Sequence, residues 1–169
     1  MQIKDILEMT RTRMNSNEVY TEAIYSDGCY GIVQKLIEIE LKRTLQLVKP
    51  KWNVYHPADN TGKPDICFGN HGVEIKTTKG WVQKYFRKRK NEFVYCNCVM
   101  WTSRYKKPTD KKIPFLFIKF SIVNNELIFD EVYFGLVALT DWTVVKVKGV
   151  ETELRIGLPK VKAICKKII

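Results

Sequence analysis

Long apolar runs are missing from this chain. No stretch approaches the ~18–20 consecutive apolar residues that cross a bilayer, which excludes a transmembrane helix. Residues 1–15, MQIKDILEMTRTRMN, carry acids early and hold no continuous apolar segment, so they do not read as a secretory signal. Histidine is scarce: His56 and His71 stand alone, and neither has a cysteine or a second histidine at ligand spacing, which argues against zinc. The five cysteines (Cys29, Cys67, Cys96, Cys98 and Cys165) form no C-x-x-C pair, and their odd count argues against a closed disulfide framework. Cys96-Asn97-Cys98 reads as two small half-buried residues on one face of a strand, and reduced thiols fit a cytoplasmic protein. The glycine patterns G-x-x-x-x-G-K-[ST], G-x-G-x-x-G and G-x-S-x-G are absent, so an ATPase, a Rossmann dehydrogenase and a serine hydrolase are poor readings and no nucleotide cofactor is expected.

Acids are also in short supply. The 169 residues hold 18 Asp and Glu against 29 Lys and Arg, a net charge of +11 with an isoelectric point near 9.4. A basic excess of this size favours a polyanionic partner, most simply nucleic acid. The competing readings are a protein that is merely basic and an anionic membrane surface; no basic amphipathic helix with an aromatic face supports the second.

What is present is ordinary for a globular fold: 45% hydrophobic and 28% charged residues, with no internal repeat, low-complexity tract or Gly/Ser linker. The length fits a single domain over 1–169 with a core of its own. Residues 17–48 are periodic, with a weak point at Ser26-Asp27-Gly28, and Gly31 to Val48 reads clearly as a helix that Pro50 ends. Lys51 to Tyr55 reads as a short approach segment and His56 to Pro64 as a loop. Asp65–Phe68 and Val73–Thr78 read as a strand hairpin around Gly69-Asn70-His71-Gly72. Trp81 to Glu92 reads as a basic helix, Phe93 to Ser103 as a strand, and Phe115–Val123 and Glu126–Leu139 as strands turning at Asn124-Asn125. Thr143 to Val147 is a further candidate strand. The expected class is α/β, a mixed β-sheet flanked by helices.

The hairpin gathers the chemistry. With Asn70-His71 as the turn, Ile66 faces Ile75 and Asp65 faces Lys76, and cross-strand partners share a face. Ile66, Phe68, Val73 and Ile75 then form an apolar core face, and Asp65, Cys67, Glu74 and Lys76 form the other. Two acids with a backbone carbonyl suit a hard cation such as Mg²⁺, which takes oxygen ligands and keeps waters. A metal there can polarise a phosphoryl oxygen and activate water, while Lys76 orients that water or neutralises developing charge. The alternative is a surface salt-bridge patch on the solvent face of a sheet.

The preceding helix contributes a misplaced acid. With Ile32 at zero on a helical wheel, Val33, Leu36, Ile37, Thr44, Leu47 and Val48 fall on one face centred near ~90°, and Gln34, Lys35, Glu38, Lys42 and Gln46 fall opposite. Glu40 falls at ~80°, inside the apolar arc, where a carboxylate needs a partner or a ligand. Glu40 is therefore the helix acid expected to point at the site, and Glu38 the solvated one. A buried ion pair with a lysine or arginine is the other reading of Glu40.

Pro64-Asp65 followed by Glu74-Ile75-Lys76, with the Gly62-Lys63 lead-in and a preceding helix that carries an acid, resembles the signature of the PD-(D/E)XK nuclease superfamily, the restriction-endonuclease-like fold. The resemblance covers Gly31 to Thr78. It implies a restriction-endonuclease-like core with Asp65 as the central metal ligand, Glu74 and the Ile75 carbonyl as further ligands, Lys76 as the catalytic lysine and Glu40 as the supplementary acid, Glu38 being second choice. It also implies Mg²⁺, with Mn²⁺ able to substitute. The activity it implies is that of a small type II restriction endonuclease cutting duplex DNA, and two strands call for two sites and hence a homodimer. A structure-selective nuclease of the same fold (junction-resolving, repair or homing) and a non-catalytic basic DNA-binding protein are the alternatives.

Lys79 to Lys90, KGWVQKYFRKRK, follows at once with six basic residues and no acid. Lys79, Lys84, Arg87, Lys88, Arg89 and Lys90 are candidate phosphate contacts, with Lys63 and Arg104 beside them. Trp81, Tyr85 and Phe86 read better as anchors of this segment to the body.

Overall fold

Two long strands, β6 (Lys112–Val123) and β7 (Glu126–Ala138), form the spine. They turn at Asn124 and Asn125, whose φ values of 51° and 59° are those of a type I′ turn, the tight connection whose twist matches antiparallel strands. The computed structural model describes residues 1–55, 57 and 63–169. His56 and most of the loop before Pro64 lie outside the described residues.

Both faces of this spine are buried. On β6, Leu116, Ile118 and Phe120 enter one core while Phe115 and Phe117 enter a second on the opposite face, as period-two alternation requires. On β7 the alternation changes phase. Leu127 and Phe129 face the first core, and beyond Asp130 it is Val132 and Phe134 that do so. A bulge between Lys119 and Phe120 explains this, because Phe120 pairs with Phe129 and Lys119 with Glu131, leaving Asp130 as the extra residue. Asp130 is held by Ser121 Oγ at 2.8 Å and Lys119 Nζ at 3.4 Å.

The spine belongs to a five-stranded mixed sheet of order β1-β2-β6-β7-β10, with β1 (Ile66–Phe68), β2 (His71–Thr78) and β10 (Lys166–Lys167). β2 runs parallel to β6 and every other neighbour pair is antiparallel. Helices α1 (Ile3–Asn15) and α2 (Tyr30–Val48), joined through a π-helical turn over Val19–Tyr25, cover the first core. A three-stranded antiparallel sheet, β5 (Met100–Arg104), β9 (Val150–Gly157) and β8 (Thr143–Val147), covers the second together with α3 (Leu158–Ile164). Trp101 of β5 is fully buried there, and its indole N–H donates to the Ile118 carbonyl at 3.1 Å. The class is the expected one, α/β with a mixed sheet and flanking helices. No described helix is long and apolar enough to cross a membrane.

Two local expectations are corrected. The β1–β2 turn is Gly69-Asn70, with Phe68 paired to His71 and Ile66 to Val73. Gly69 has φ +57°, the arrangement of a II′ turn with glycine first, so the register moves by two residues from the one read off the sequence. A shift of two preserves face parity, so Ile66, Val73 and Ile75 still share the core face. The basic segment after β2 is not a helix but β3 (Trp81–Arg87), paired in antiparallel register with β4 (Glu92–Cys98) as a separate two-stranded ribbon. Its three aromatic residues and Val82, with Phe86 and Tyr85 paired across to Phe93 and Val94 of β4, outweigh the helix propensity of its lysine and arginine. The strand expected over 93–103 is accordingly split between β4 and β5.

Phe117 is fully buried and stacks on Phe115 at 5.4 Å, whereas Phe86 on the ribbon is 44% exposed. In urea denaturation Phe117→Ala should cost about 3–5 kcal/mol and Phe86→Ala about 0.5 kcal/mol or less. Equal costs would contradict this division between core and ribbon.

Candidate active site at an open sheet edge

β1 pairs with β2 only as far as Ile66 and Val73. Beyond that point the chain carries Asp65 and then Pro64, which has no N–H to continue the ladder. Asp65 takes over: its Oδ2 accepts the Ile75 N–H at 2.7 Å. A strand residue presents its N–H and C=O to the same side, so the Ile75 carbonyl also faces this edge, away from the β6 ladder. Gly72 keeps the approach tight, since a Cβ there would come within 2.7 Å of the Pro64 ring.

Glu74 and Lys76 flank Ile75 on the opposite face of the strand. Lys76 Nζ lies 2.7 Å from Glu74 Oε1 and 3.8 Å from Asp65 Oδ2, so one ammonium bridges the two carboxylates. Glu74 is 8% exposed and the side chains of Asp65 and Lys76 are half-buried. This is not a solvated surface patch, and burial raises the cost of any charge left unbalanced. The three residues singled out by the hairpin are thus brought together.

The helix acids change places. Glu40 is buried, as the wheel requires, but it turns toward α1 and the π-helical turn: Arg43 donates to its Oε1, the Tyr20 hydroxyl lies 3.3 Å from the same atom, and Arg13 lies 3.6 Å from Oε2. It is the buried ion pair, and its expected place beside the hairpin is corrected. The apolar arc of α2 serves two neighbours, and the part that holds Glu40 packs on α1. Glu38, expected in solvent, lies near Asp65 and Lys76. Burial pushes its carboxyl above the ordinary range, a hydrogen bond from Lys35 at 3.0 Å opposes this, and the charge of Asp65 pushes it further up. Gln34, one turn earlier on the same stripe, donates to the Thr77 carbonyl of β2 at 3.3 Å. The stripe Gln34–Glu38 is the one that meets β2, and its i, i+4 spacing was the available signal.

A cleft of about 310 Å³ runs from Lys76 and Glu38 past Gln34 to Tyr30, Lys79 and Trp81. Lys79 Nζ lies over the Tyr30 ring at 3.5 Å. Lys63, Lys84, Arg87, Lys88, Arg89, Lys90 and Arg104 are all exposed. No family model, curated protein or solved structure matches this chain.

Among the described residues, no group of three or more His, Cys, Asp or Glu side chains is placed to hold a metal ion. Asp65 and Glu74 with the Ile75 carbonyl are nevertheless the donor set that suits Mg²⁺, which commonly takes one or two carboxylates and fills its octahedron with waters and substrate phosphates. Glu38 would add negative charge to that set.

The two helix acids can be separated by stability in EDTA. Glu40→Gln should lower stability by about 1–2 kcal/mol, since Arg13 and Arg43 lose their shared carboxylate while remaining partly hydrated. Glu38→Gln should be neutral or stabilising near pH 7. A carboxyl whose folded pKa is raised holds more protons folded than unfolded, so the parent protein loses stability as pH rises from the ordinary glutamate value through the raised one. The advantage of Glu38→Gln should therefore grow across that window and vanish below it. Thermal melts over a pH series read this, and a Glu38→Gln deficit that grows with pH would contradict the assigned surroundings.

Proposed function

We propose that this chain is a divalent-metal-dependent DNA endonuclease of the restriction-endonuclease-like kind, acting on duplex DNA as a homodimer. The observation that carries the reading is the half-buried edge where Asp65, held by the Ile75 N–H, and Glu74 gather around the Lys76 ammonium. Asp65, Glu74 and the Ile75 carbonyl would hold Mg²⁺ or Mn²⁺, with Glu38 as the helix acid. Such an ion, when bound, polarises a phosphoryl oxygen and makes bound water acidic.

The chain's own groups supply the rest. Lys76 carries the positive charge closest to the two carboxylates, and released from Glu74 it can hydrogen-bond the attacking water or a non-bridging phosphate oxygen as charge builds there. Asp65 is fixed by the Ile75 N–H, so it meets a ligand without losing rotamer freedom at that moment. Glu38 acts through Lys76 and Asp65 as a positioning residue. Two carboxylates beside a phosphodiester repel it unless a cation intervenes, which weighs against a purely binding role. The net charge of +11 supplies attraction to the substrate at long range. A type II restriction enzyme is the simplest form of this activity, with one site per chain and a twofold pair of chains for two strands.

Plasmid and phage DNA incubated with the protein should be cut with Mg²⁺ or Mn²⁺ and remain intact in EDTA. Asp65→Ala and Lys76→Ala should each slow cutting by at least ~10²-fold, the usual loss for a group that stabilises transition-state charge. DNA binding should survive in Asp65→Ala, since the change removes negative charge near phosphate. Cutting in EDTA, or full activity in Lys76→Ala, would contradict the mechanism.

A further inference from the structure

The β3–β4 ribbon stands apart from both cores. No residue of β3 is buried, and among the described residues the ribbon pairs with no other strand. An isolated two-stranded hairpin is marginal in water, and of this ribbon's two faces one carries the half-buried Val94, Cys96 and Cys98 while the other is open to solvent. Val82, Phe86, Phe93 and Tyr95 lie on one face and are 44–63% exposed. Lys84 shares that face, its Nζ lying 4.1 Å from the Phe93 ring centroid and 5.6 Å from that of Tyr95. The tip is Lys88-Arg89-Lys90-Asn91, closed by the Lys90 N–H on the Arg87 carbonyl, with Asn91 at φ 51°. Residues 81–98 hold five cations and one acid, Glu92.

We propose that this ribbon is an arm that enters the major groove of duplex DNA, its basic tip on the phosphates and its aromatic face on base edges. Two strands side by side fit a groove ~12 Å wide, which admits a β-ribbon as it does a helix. Seven residues of extended strand reach ~23 Å, enough to traverse it. Aromatic side chains suit the thymine methyl groups exposed there. Charge weighs against a second copy as the occupant, since each copy would bring Lys84 and a basic tip to the pairing while the ribbon offers one acid, Glu92. The arm leaves β2 directly, since Gly80 at φ +74° is followed by Trp81 and lies four residues after Lys76. The inference deepens the DNA reading above and rests on it for the identity of the ligand, while its test uses binding without cleavage.

Binding of a fluorescent 30-base-pair duplex to the full chain in EDTA, over a salt series, tests it. The triple variant Lys88→Ala, Arg89→Ala, Lys90→Ala should bind at least ~10-fold more weakly, and its slope of log affinity against log salt should fall by about 2–3, near 0.9 per lost phosphate contact. Removing the same charge elsewhere, by Lys148→Ala, Lys166→Ala and Lys167→Ala, should change the slope by less than about one. In the saturated parent complex, guanine N7, which lies in the major groove, should be protected from dimethyl sulfate, and the tip variant should lose that protection. An unchanged affinity and slope in the tip variant would overturn the arm. So would unprotected N7, or a parent chain that is dimeric through this face and becomes monomeric in Phe86→Lys with DNA binding intact. A parent protein that binds through the tip yet cuts nothing with Mg²⁺ overturns the nuclease and leaves the arm standing.

Discussion

Because β2 lies between a strand of three residues and one of twelve, its two edges have different fates. The β6 side is closed by a parallel ladder from Glu74 to Thr78. The β1 side runs out of partner after Val73, and Ile75 would be left with an unsatisfied N–H near the protein interior. Asp65 meets that need with its side chain, and in doing so a carboxylate is anchored beside the Glu74 carboxylate on a partly buried edge. The site therefore follows from how the sheet ends.

Anchoring acids there creates a charge problem, and the surroundings show how far it is solved. Lys76 bridges Glu74 and Asp65, while Glu38, close by and paired with Lys35, has its carboxyl pushed above the ordinary range by burial and then by Asp65. Negative charge is thus in excess locally within a chain whose overall charge is +11. Evolution toward stability alone would favour apolar packing over such a cluster, since a buried ion group rarely repays its desolvation. Glu40 provides the contrast. It is also buried, yet two arginines and a tyrosine satisfy it, and it serves to tie α1 and the π-helical turn to α2.

Alternation along a strand was the most legible signal in the sequence. The faces of the β1–β2 hairpin were read correctly although the turn was placed one residue late, because a register error of two leaves parity intact. α2 and the Asn124-Asn125 hairpin were equally plain, from a 3.6-residue period and a paired-asparagine turn. The helical wheel found a buried acid but not what it faces, since one wheel cannot tell α1 from β2 as the neighbour of an arc. The β3–β4 ribbon is the hardest segment to read, because Lys and Arg favour helix and Trp81, Val82, Tyr85 and Phe86 recur at i, i+4 spacing, whereas the strand depends on pairing with β4. α1 and β9 were legible too and are absent from the reading above: Ile3, Ile6, Leu7, Thr10 and Met14 recur at helical spacing, and Val150, Thr152, Leu154 and Ile156 alternate with polar residues.

The central claim is that the Asp65–Glu74 edge is built for a divalent cation. Crystals of the protein soaked in Mn²⁺ and measured for anomalous scattering test it directly. The account predicts a peak bound by the carboxylates of Asp65 and Glu74 and the Ile75 carbonyl at about 2.0–2.3 Å, with the Lys76 ammonium moved off Glu74. No peak at this edge, with Lys76 still bridging Asp65 and Glu74 at millimolar Mn²⁺, would contradict it.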